Sequence, residues 1–317
     1  MTRQFKLARD GFGEGLIALG ASNPDVVVFD ADLSKSTRTN WFADKFPDRF
    51  FDMGIAEQDM VATAGGISLM GKIPFVATYG TFIAGRAWDQ IRTTVCYSKL
   101  NVKIAGCHGG ISVGADGATH QALEDVASMR VLPGMTVVVP CDAIETRKAT
   151  IAGAEMNGPF YFRFGREAVP IVTSEDTPFV IGKALTLREG TDITVIANGP
   201  MVAEALDAAE EMAGVGVSVR VINMHTVKPL DTDAVLKAAR ETGAVITMEE
   251  HSVIGGLGGA VAEFLSQNYP VPMKIIGTQD RFGESGEPDE LLKAFGLTAA
   301  HLVPEIKKLL GKQESVR

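Results

Sequence analysis

The chain of 317 residues has little cysteine, no long apolar run and no excess of positive charge. Its three cysteines, Cys96, Cys107 and Cys141, form no Cys-x-x-Cys pair, so the sequence predicts neither a disulfide framework nor a zinc site. No apolar stretch reaches the roughly 18–20 residues that cross a membrane, and the first residues hold no apolar signal-peptide core, so we expect a cytoplasmic protein. The net charge of −9 argues against nucleic-acid binding, which depends on clustered Lys and Arg.

The sequence does contain a regular alternation of strand-like and helical patterns. In the first part, short apolar runs predict strands at 26–29, 76–79, 102–105, 136–139 and 160–164, with helices at 59–70, 84–97, 124–130 and 143–156. In the second part, the same patterns predict strands at 193–197, 217–222, 244–248 and 273–276, with helices at 202–212, 232–241, 259–267, 289–295 and 304–310. This alternation is typical of α/β architecture with largely parallel sheets flanked by helices.

The chain length and one polar segment predict two domains. Residues 172–178 read Val-Thr-Ser-Glu-Asp-Thr-Pro, a turn-rich composition that suits a linker. We therefore expect a first domain over residues 1–172, a linker over 173–186 and a second domain over 187–317.

A glutamate between a strand-like run and a Gly/Ala-rich helical run is the first candidate for chemistry. Few of the residues next to Glu57 in the segment Gly54-Ile-Ala-Glu-Gln have polar side chains. A carboxyl group in such a place can donate or share a proton. The alternative is a solvated residue that only favours the start of a helix.

A glycine-rich segment carries the second set of candidates, His108, Asp116 and His120. Its glycines let the backbone turn tightly and approach a ligand closely. The three side chains could bond a substrate, bind a metal or serve only the loop. Because the segment lacks the short, regular spacing of zinc sites, we predict no metal site here.

Aromatic and basic residues complete the candidates. Phe82 and Trp88 could pack in the core or form a flat slot for a heteroaromatic ring. Arg9 and Arg166 could be solvated surface residues, although the fork of an arginine matches two oxygens of a sugar phosphate.

Taken together, these segments resemble the transketolase family. The matching stretches, in family order and at family spacing, are Asp30-Ala-Asp32-Leu-Ser-Lys-Ser36, Gly54-Ile-Ala-Glu57-Gln, Tyr79-Gly-Thr-Phe82, Gly114-Ala-Asp116-Gly-Ala-Thr-His120-Gln, Arg130-Val-Leu-Pro133 and Pro140-Cys-Asp142. The resemblance covers nearly the whole chain. It implies the pyrimidine-binding domain and the C-terminal domain of an enzyme that uses thiamine diphosphate.

The resemblance also implies roles for the residues that would surround the cofactor ring. Glu57 matches the catalytic glutamate that bonds the N1′ atom of the aminopyrimidine. Phe82 matches the aromatic residue that stacks on this ring, and Trp88 falls where the family often has a Tyr lining the same pocket. Asp32 matches a residue close to the ring.

Further matches lie on the substrate side. His108 and His120 match catalytic histidines that contact sugar hydroxyls and the developing oxyanion, and Asp116 matches the aspartate that recognises a donor hydroxyl. Arg9, Ser36 and Arg166 match the set that binds the substrate phosphate.

One family motif is missing, because the sequence contains no Gly-Asp-Gly. In the family this motif holds the divalent cation, so the resemblance implies that Mg²⁺ or Ca²⁺ and the diphosphate are bound by a partner, the N-terminal half of a split transketolase. Two copies of each subunit would form a heterotetramer. Together they would transfer a two-carbon ketol unit from a ketose phosphate to an aldose.

Three alternatives stay open. The first is the β subunit of a 2-oxo acid dehydrogenase, which has a similar length and the same two domains. The second is the rear portion of a deoxyxylulose-phosphate synthase, which has a similar sequence around Glu57. A non-catalytic scaffold with a decayed site is the third, and the presence of Glu57, His108, Asp116 and His120 argues against it.

Overall fold

The computed structural model describes residues 4–314. The strands of the first domain are short runs of apolar residues, and most of them are buried on both faces. They are β1 (Phe5–Leu7), β2 (Val26–Asp30), β3 (Phe50–Asp52), β4 (Ile73–Tyr79), β5 (Lys103–Cys107), β6 (Thr136–Val138), β7 (Phe160–Phe164) and β8 (Ala168–Pro170). The helices between them are α1 (Ala8–Ser22), α2 (Ser34–Thr37), α3 (Asn40–Lys45), α4 (Glu57–Leu69), α5 (Gly80–Arg86), α6 (Trp88–Gln90), α7 (Asp125–Arg130) and α8 (Ala143–Glu155).

The second domain repeats this alternation. Its strands are β9 (Leu185–Arg188), β10 (Ile193–Ala197), β11 (Val219–Asn223), β12 (Thr226–Lys228), β13 (Val245–Ser252) and β14 (Met273–Thr278). Its helices are α9 (Met201–Ala213), α10 (Thr232–Thr242), α11 (Leu257–Asn268), α12 (Pro288–Ala294) and α13 (Ala299–Glu314).

Two mostly parallel sheets organise the domains. The first has the order β12-β6-β7-β5-β4-β2-β3, and β2 to β7 run parallel to one another. The second has the order β14-β13-β10-β11-β9, with β9 antiparallel at one edge. The predicted α/β class with largely parallel sheets is confirmed.

The sheets are not confined to the two halves of the chain. Strand β12 belongs to the second half, yet it pairs antiparallel with β6 and extends the first sheet. A single buried apolar cluster also joins both domains through residues such as Met129, Ile222 and Val261. Strand β9 begins at Leu185, inside the segment expected to be a linker. The domain boundaries at 172 and 187 therefore stay predictions.

Two local expectations need correction. The helix expected at 84–97 divides into α5, α6 and a π-helix over Ile91–Tyr97, where the amide of Leu100 bonds the carbonyl of Val95 five residues back. Helix α1 was not predicted, because four glycines lower its helical propensity. Gly11 and Gly15 pack against α8, and a Cβ atom on Gly11 would lie 2.0 Å from the carbonyl oxygen of Ala143. Gly13 and Gly20 pack against the aromatic rings of Trp41 and Phe46.

No helix in the described part of the chain, residues 4–314, is long and apolar enough to span a membrane.

Candidate active site

The candidate residues follow the carboxyl ends of parallel strands in the first sheet. Asp32 follows β2, Glu57 follows β3, Phe82 follows β4, His108 follows β5 and Arg166 follows β7. The carboxyl ends of parallel strands meet at one edge of a sheet, where α/β proteins present their ligand-binding loops. The topology therefore gathers residues that are up to 134 positions apart in the sequence.

A cavity of 490 Å³ lies at this edge and collects the ring-side candidates. Asp32, Glu57, Phe82 and His120 all line it, together with Arg86. A larger cavity of 730 Å³ opens at the amino ends of the strands, near Cys96 and Pro133, and holds none of the candidates. Burial raises the pKa of the Cys96 thiol there to about 11, which disfavours a nucleophilic role. The smaller cavity is the candidate site.

Glu57 is buried at the start of α4, with 3% of the residue exposed. Its Oε1 atom accepts a hydrogen bond of 2.8 Å from Nη1 of Arg86. Arg86 was missed in the sequence. The signal that could have found it is its position four residues after Phe82 on the same helix, because side chains at this spacing share a helix face.

Phe82 lies between several rings. It stacks with Tyr79 at 5.6 Å between ring centroids, and His120 meets it edge-on at 5.2 Å. The Cζ atom of Arg86 lies over the Phe82 ring, 4.1 Å from its centroid.

Trp88 takes a different place. Its side chain packs against the apolar core, and its indole N–H donates a hydrogen bond of 3.2 Å to the carbonyl of Ser128. It is not among the residues that line the cavity. The role of Trp88 in a ring pocket stays a prediction.

His108 is fully buried directly after β5 and stacks on Tyr79 at 4.3 Å between ring centroids. Neither of its ring nitrogens has a hydrogen-bond partner among residues 4–314. Burial, and then the charges of Arg9, Arg166 and Arg38, lower its pKa to about 3. The imidazole is therefore neutral at physiological pH, and its unpartnered buried nitrogens point to a ligand.

The backbone at this edge adopts conformations that are uncommon for side-chain-bearing residues. Asp32, Arg38 and His108 have φ angles of 61°, 71° and 57°. Such left-handed residues are concentrated at functional sites, where the surrounding structure holds them. After His108 the chain turns against Arg163, and a Cβ atom on Gly109 would lie 2.1 Å from Nε of that arginine.

Basic residues form the outer part of the site. Arg9 donates from Nη1 to the carbonyl of Ser36 at 3.2 Å, while its buried Nε has no partner in the part of the chain that the structure describes. Burial and the nearby guanidinium of Arg38 lower the pKa of Arg9, and Arg166 adds to this effect. Arg38 itself pairs with Asp10 at 2.7 Å. An anion at this position would relieve the mutual repulsion of the arginines.

Two substrate-side candidates bind each other. Nη1 of Arg166 donates to Oδ2 of Asp116 at 2.8 Å and to the carbonyl of Val113 at 3.3 Å. His120 bonds the hydroxyl of Thr119 through Nδ1 at 2.9 Å. The sequence pattern had given Asp116 and Arg166 separate substrate groups, whereas the structure places them in one ion pair.

The second domain makes hydrogen bonds with the loop that carries Asp116 and His120. Glu250 accepts a hydrogen bond of 2.6 Å from the amide of Ser112, and the side chain of Gln121 donates to the carbonyl of Glu284 at 2.9 Å. Burial raises the pKa of Glu250, and the charge of the buried Arg163 opposes that rise. The second domain therefore positions the loop.

Among the described residues 4–314, no three His, Cys, Asp or Glu side chains cluster in a way that could hold a metal ion.

Two family models match the chain. The model described as "Transketolase, pyrimidine binding domain" matches residues 7–172, and "Transketolase, C-terminal domain" matches residues 182–302.

Individual proteins are similar over nearly the full chain. "Putative transketolase C-terminal section" of Methanocaldococcus jannaschii is 45% identical over 312 residues, which cover 98% of each chain. "6-deoxy-6-sulfo-D-fructose transketolase subunit SqwH" of a Clostridium species is 45% identical over 295 residues, which cover 93% of this chain and 92% of that protein. A solved structure described as "Split gene transketolase, inactive beta4 tetramer" superposes with a TM-score of 0.89 at 50% identity, covering 96% of this chain and 98% of that one.

Proposed function

Because the chain belongs to the transketolase family, we propose that it is the C-terminal subunit of a thiamine-diphosphate-dependent transketolase. With an N-terminal-half subunit it transfers a two-carbon ketol unit from a ketose phosphate to an aldose acceptor. One observation carries this proposal: the buried carboxylate of Glu57 lines the same cavity as Phe82 and His120, at the ligand-binding edge of the sheet.

The residues of this cavity fit the aminopyrimidine ring. The guanidinium of Arg86, itself a flat group with N–H donors, already lies over Phe82 and bonds Glu57. A flat heteroaromatic ring can make the same two kinds of contact, stacking and a hydrogen bond to the carboxyl. The cavity volume of 490 Å³ is in the range of small-molecule sites.

When bound, thiamine diphosphate supplies the nucleophilic carbanion, and the protein supplies orientation and electrostatics. Glu57 would share a proton with the N1′ atom of the ring. Phe82 would orient the ring by stacking, and Asp32, which lines the same cavity, would lie beside it. Trp88 supports the pocket from the core.

The histidines act on the substrate. His108 is neutral, so it offers one N–H donor and one acceptor nitrogen to sugar hydroxyls. His120, whose edge faces Phe82, donates to the oxyanion that develops on the sugar carbonyl. Asp116 accepts a hydrogen bond from a donor hydroxyl, sharing its second oxygen with Arg166.

Arg9, Ser36 and Arg166 bind the anionic end of the substrate. Arg9 has an unpartnered buried Nε atom, and its charge is next to those of Arg38 and Arg166. A phosphate is our first assignment for this anion. The name of the Clostridium relative refers to a sulfonated sugar, so a sulfonate is the competing terminal group.

The partner subunit completes the site. It binds the diphosphate together with Mg²⁺ or Ca²⁺, and two copies of each subunit form a heterotetramer. Two relatives that are named a C-terminal section and a subunit, each matched over more than nine-tenths of its length, support this arrangement. The similar structure is described as an inactive beta4 tetramer of a split-gene transketolase, which supports the need for a partner subunit and not the number of copies of each.

The choice of donor tests the proposal. The chain is reconstituted with an N-terminal-half transketolase subunit, thiamine diphosphate and Mg²⁺, and then given a ketose phosphate with an aldose acceptor. We expect ketol transfer and no consumption of pyruvate. Decarboxylation of pyruvate without ketol transfer would contradict the proposal and favour the 2-oxo acid dehydrogenase or the deoxyxylulose-phosphate synthase alternative.

A further inference from the structure

We infer that Arg86 occupies the ring site of the isolated subunit, and that the cofactor ring must displace its guanidinium in order to bind. This inference rests on the proposed function, because it takes Glu57 and Phe82 as the partners of the ring. The Arg86 guanidinium then competes with the ring for the same place and lowers the affinity of the subunit for the ring.

Two contacts place the guanidinium there. Nη1 of Arg86 lies 2.8 Å from Oε1 of Glu57, and Cζ lies 4.1 Å from the centroid of Phe82. A guanidinium within about 6 Å of a ring centroid makes a cation–π contact. A planar ring stacked on the same face of Phe82 and bonded to the same carboxyl would need the space that the guanidinium fills.

Local sequence explains both the contact and its reversibility. Phe82 and Arg86 are one turn apart on α5, so the arginine folds back over the ring. Nothing lies within 4 Å of the position that a Cβ atom on Gly85 would take, so the outer side of this turn is open. The side chain of Arg86 is 48% exposed, against 4% for that of Glu57. The arginine can therefore swing into solvent, whereas the glutamate stays in place.

The Arg86 guanidinium over Phe82, called the cap from here on, should be held weakly. An ion pair with one half-exposed partner contributes little to stability, and a cation–π contact at an exposed site is similarly modest. A weak cap still lowers the apparent affinity of the ring, because the ring binds only the fraction of molecules in which the site is open. Removal of the cap should then make ring binding about 5- to 30-fold tighter.

A supporting role for Arg86 predicts the opposite sign. If the arginine only orients Glu57 towards the ring, its removal leaves the carboxyl misplaced, and the ring binds more weakly. The direction of the change in Kd therefore separates a competitor from a support.

The experiment titrates the full chain with the aminopyrimidine fragment of thiamine, detected by ligand-observed NMR. At alkaline pH this fragment is uncharged, so removal of a positive charge does not attract it by simple electrostatics. We expect Arg86→Gln to lower Kd about 5- to 30-fold and the exposed Arg92→Gln, the matched control, to leave it unchanged. The same pair is measured with thiamine diphosphate in the reconstituted complex, where the expected direction is the same.

An unchanged or higher Kd for Arg86→Gln in both measurements would overturn the inference. Glu57→Gln is introduced into the Arg86→Gln variant, where no guanidinium remains to be released, and it separates this failure from a failure of the proposed function. If Glu57→Gln weakens binding while Arg86→Gln does not tighten it, only the cap is wrong. If Glu57→Gln has no effect, the ring does not bind at Glu57, and both proposals fail.

Discussion

The two sheets present their carboxyl edges to very different surroundings. At the first edge, Glu57 and Phe82 line a cavity, and His108 keeps both ring nitrogens unpartnered. At the second edge, the carboxylate of Glu249 accepts hydrogen bonds from the amides of Leu257 and Gly258 at 2.8 and 2.9 Å. The same parallel architecture therefore carries the candidate site in one domain and a carboxylate bonded to the backbone in the other.

The carboxyl edge of the second sheet, called the filled edge here, makes hydrogen bonds to the first domain. The amide of Val139 in the first domain bonds the carbonyl of His225 at 2.7 Å, and the amide of Gly199 bonds the carbonyl of Val139 at 3.2 Å. Glu250, from the same edge, holds the amide of Ser112 in the loop of the first domain. Position at the carboxyl edge of a parallel sheet is therefore not sufficient to make a binding site. Open space beside the side chains is needed as well, and the 490 Å³ cavity provides it at the first edge.

The sharpest test of the comparison changes a carboxyl group at the first edge. Glu57→Gln in the reconstituted complex should lower kcat about 10²–10⁴-fold, the size of a general acid–base contribution, without loss of folding. Asp59→Asn is the control, since Asp59 is an exposed acid in the same first turn of α4. Turnover close to wild type for Glu57→Gln, with cofactor saturating, would show that the first edge is as structural as the second.

Much of this arrangement could be predicted from the sequence. Strands such as β2, β5 and β7 are runs of apolar residues whose pattern reflects burial on both faces. The order of the motifs also indicated which residues would meet at one edge. Helix α1 escaped prediction because its glycines allow close contacts with α8 and with the rings of Trp41 and Phe46, and such contacts are not visible in local propensity.

The contacts inside the site were less predictable. Arg86 had no role in the motifs, and only its position over Phe82 and beside Glu57 reveals one. The pairing of Asp116 with Arg166 depends on how a loop of glycines turns, and sequence spacing alone does not specify that path. The hydrogen bond between Glu250 and Ser112 joins residues 138 positions apart, which no local pattern records.

A smaller effect is expected from the basic residues around the first edge. Arg166→Ala should lower kcat/KM about 10- to 150-fold for phosphorylated donors, mainly through KM, because a charge-assisted contact to phosphate is lost. A short hydroxyketo acid donor should be affected much less. Arg188→Ala, which removes an arginine paired with Glu210 in the second domain, is the control. Equal loss on both donors would mean that Arg166 supports folding, and no loss on either would mean a different terminal group.

The smallest expected effect is on the free energy of unfolding, and it comes from His225 at the carboxyl edge of the second sheet. Burial lowers the pKa of His225 to about 4 from an ordinary value of 6.5. Below pH 6.5 the unfolded chain therefore binds a proton that the folded chain refuses, and wild type loses stability as the pH falls towards 4. His225→Asn removes this loss, so its free energy of unfolding relative to wild type should rise by about 1–2 kcal/mol between pH 7 and pH 5.

Denaturant unfolding at the two pH values gives this difference. His301→Asn controls for the substitution itself, because exposed His301 also bonds a threonine hydroxyl through Nδ1. A difference for His225→Asn that does not change with pH would mean that His225 is not held neutral at the filled edge.

The central claim is that this chain supplies the ring and substrate side of an active site that another subunit completes. Ketol transfer is measured for the purified chain, for an N-terminal-half subunit and for their mixture, each with saturating thiamine diphosphate and Mg²⁺. The account predicts no transfer by either subunit alone and transfer by the mixture. Robust transfer by this chain alone would contradict it.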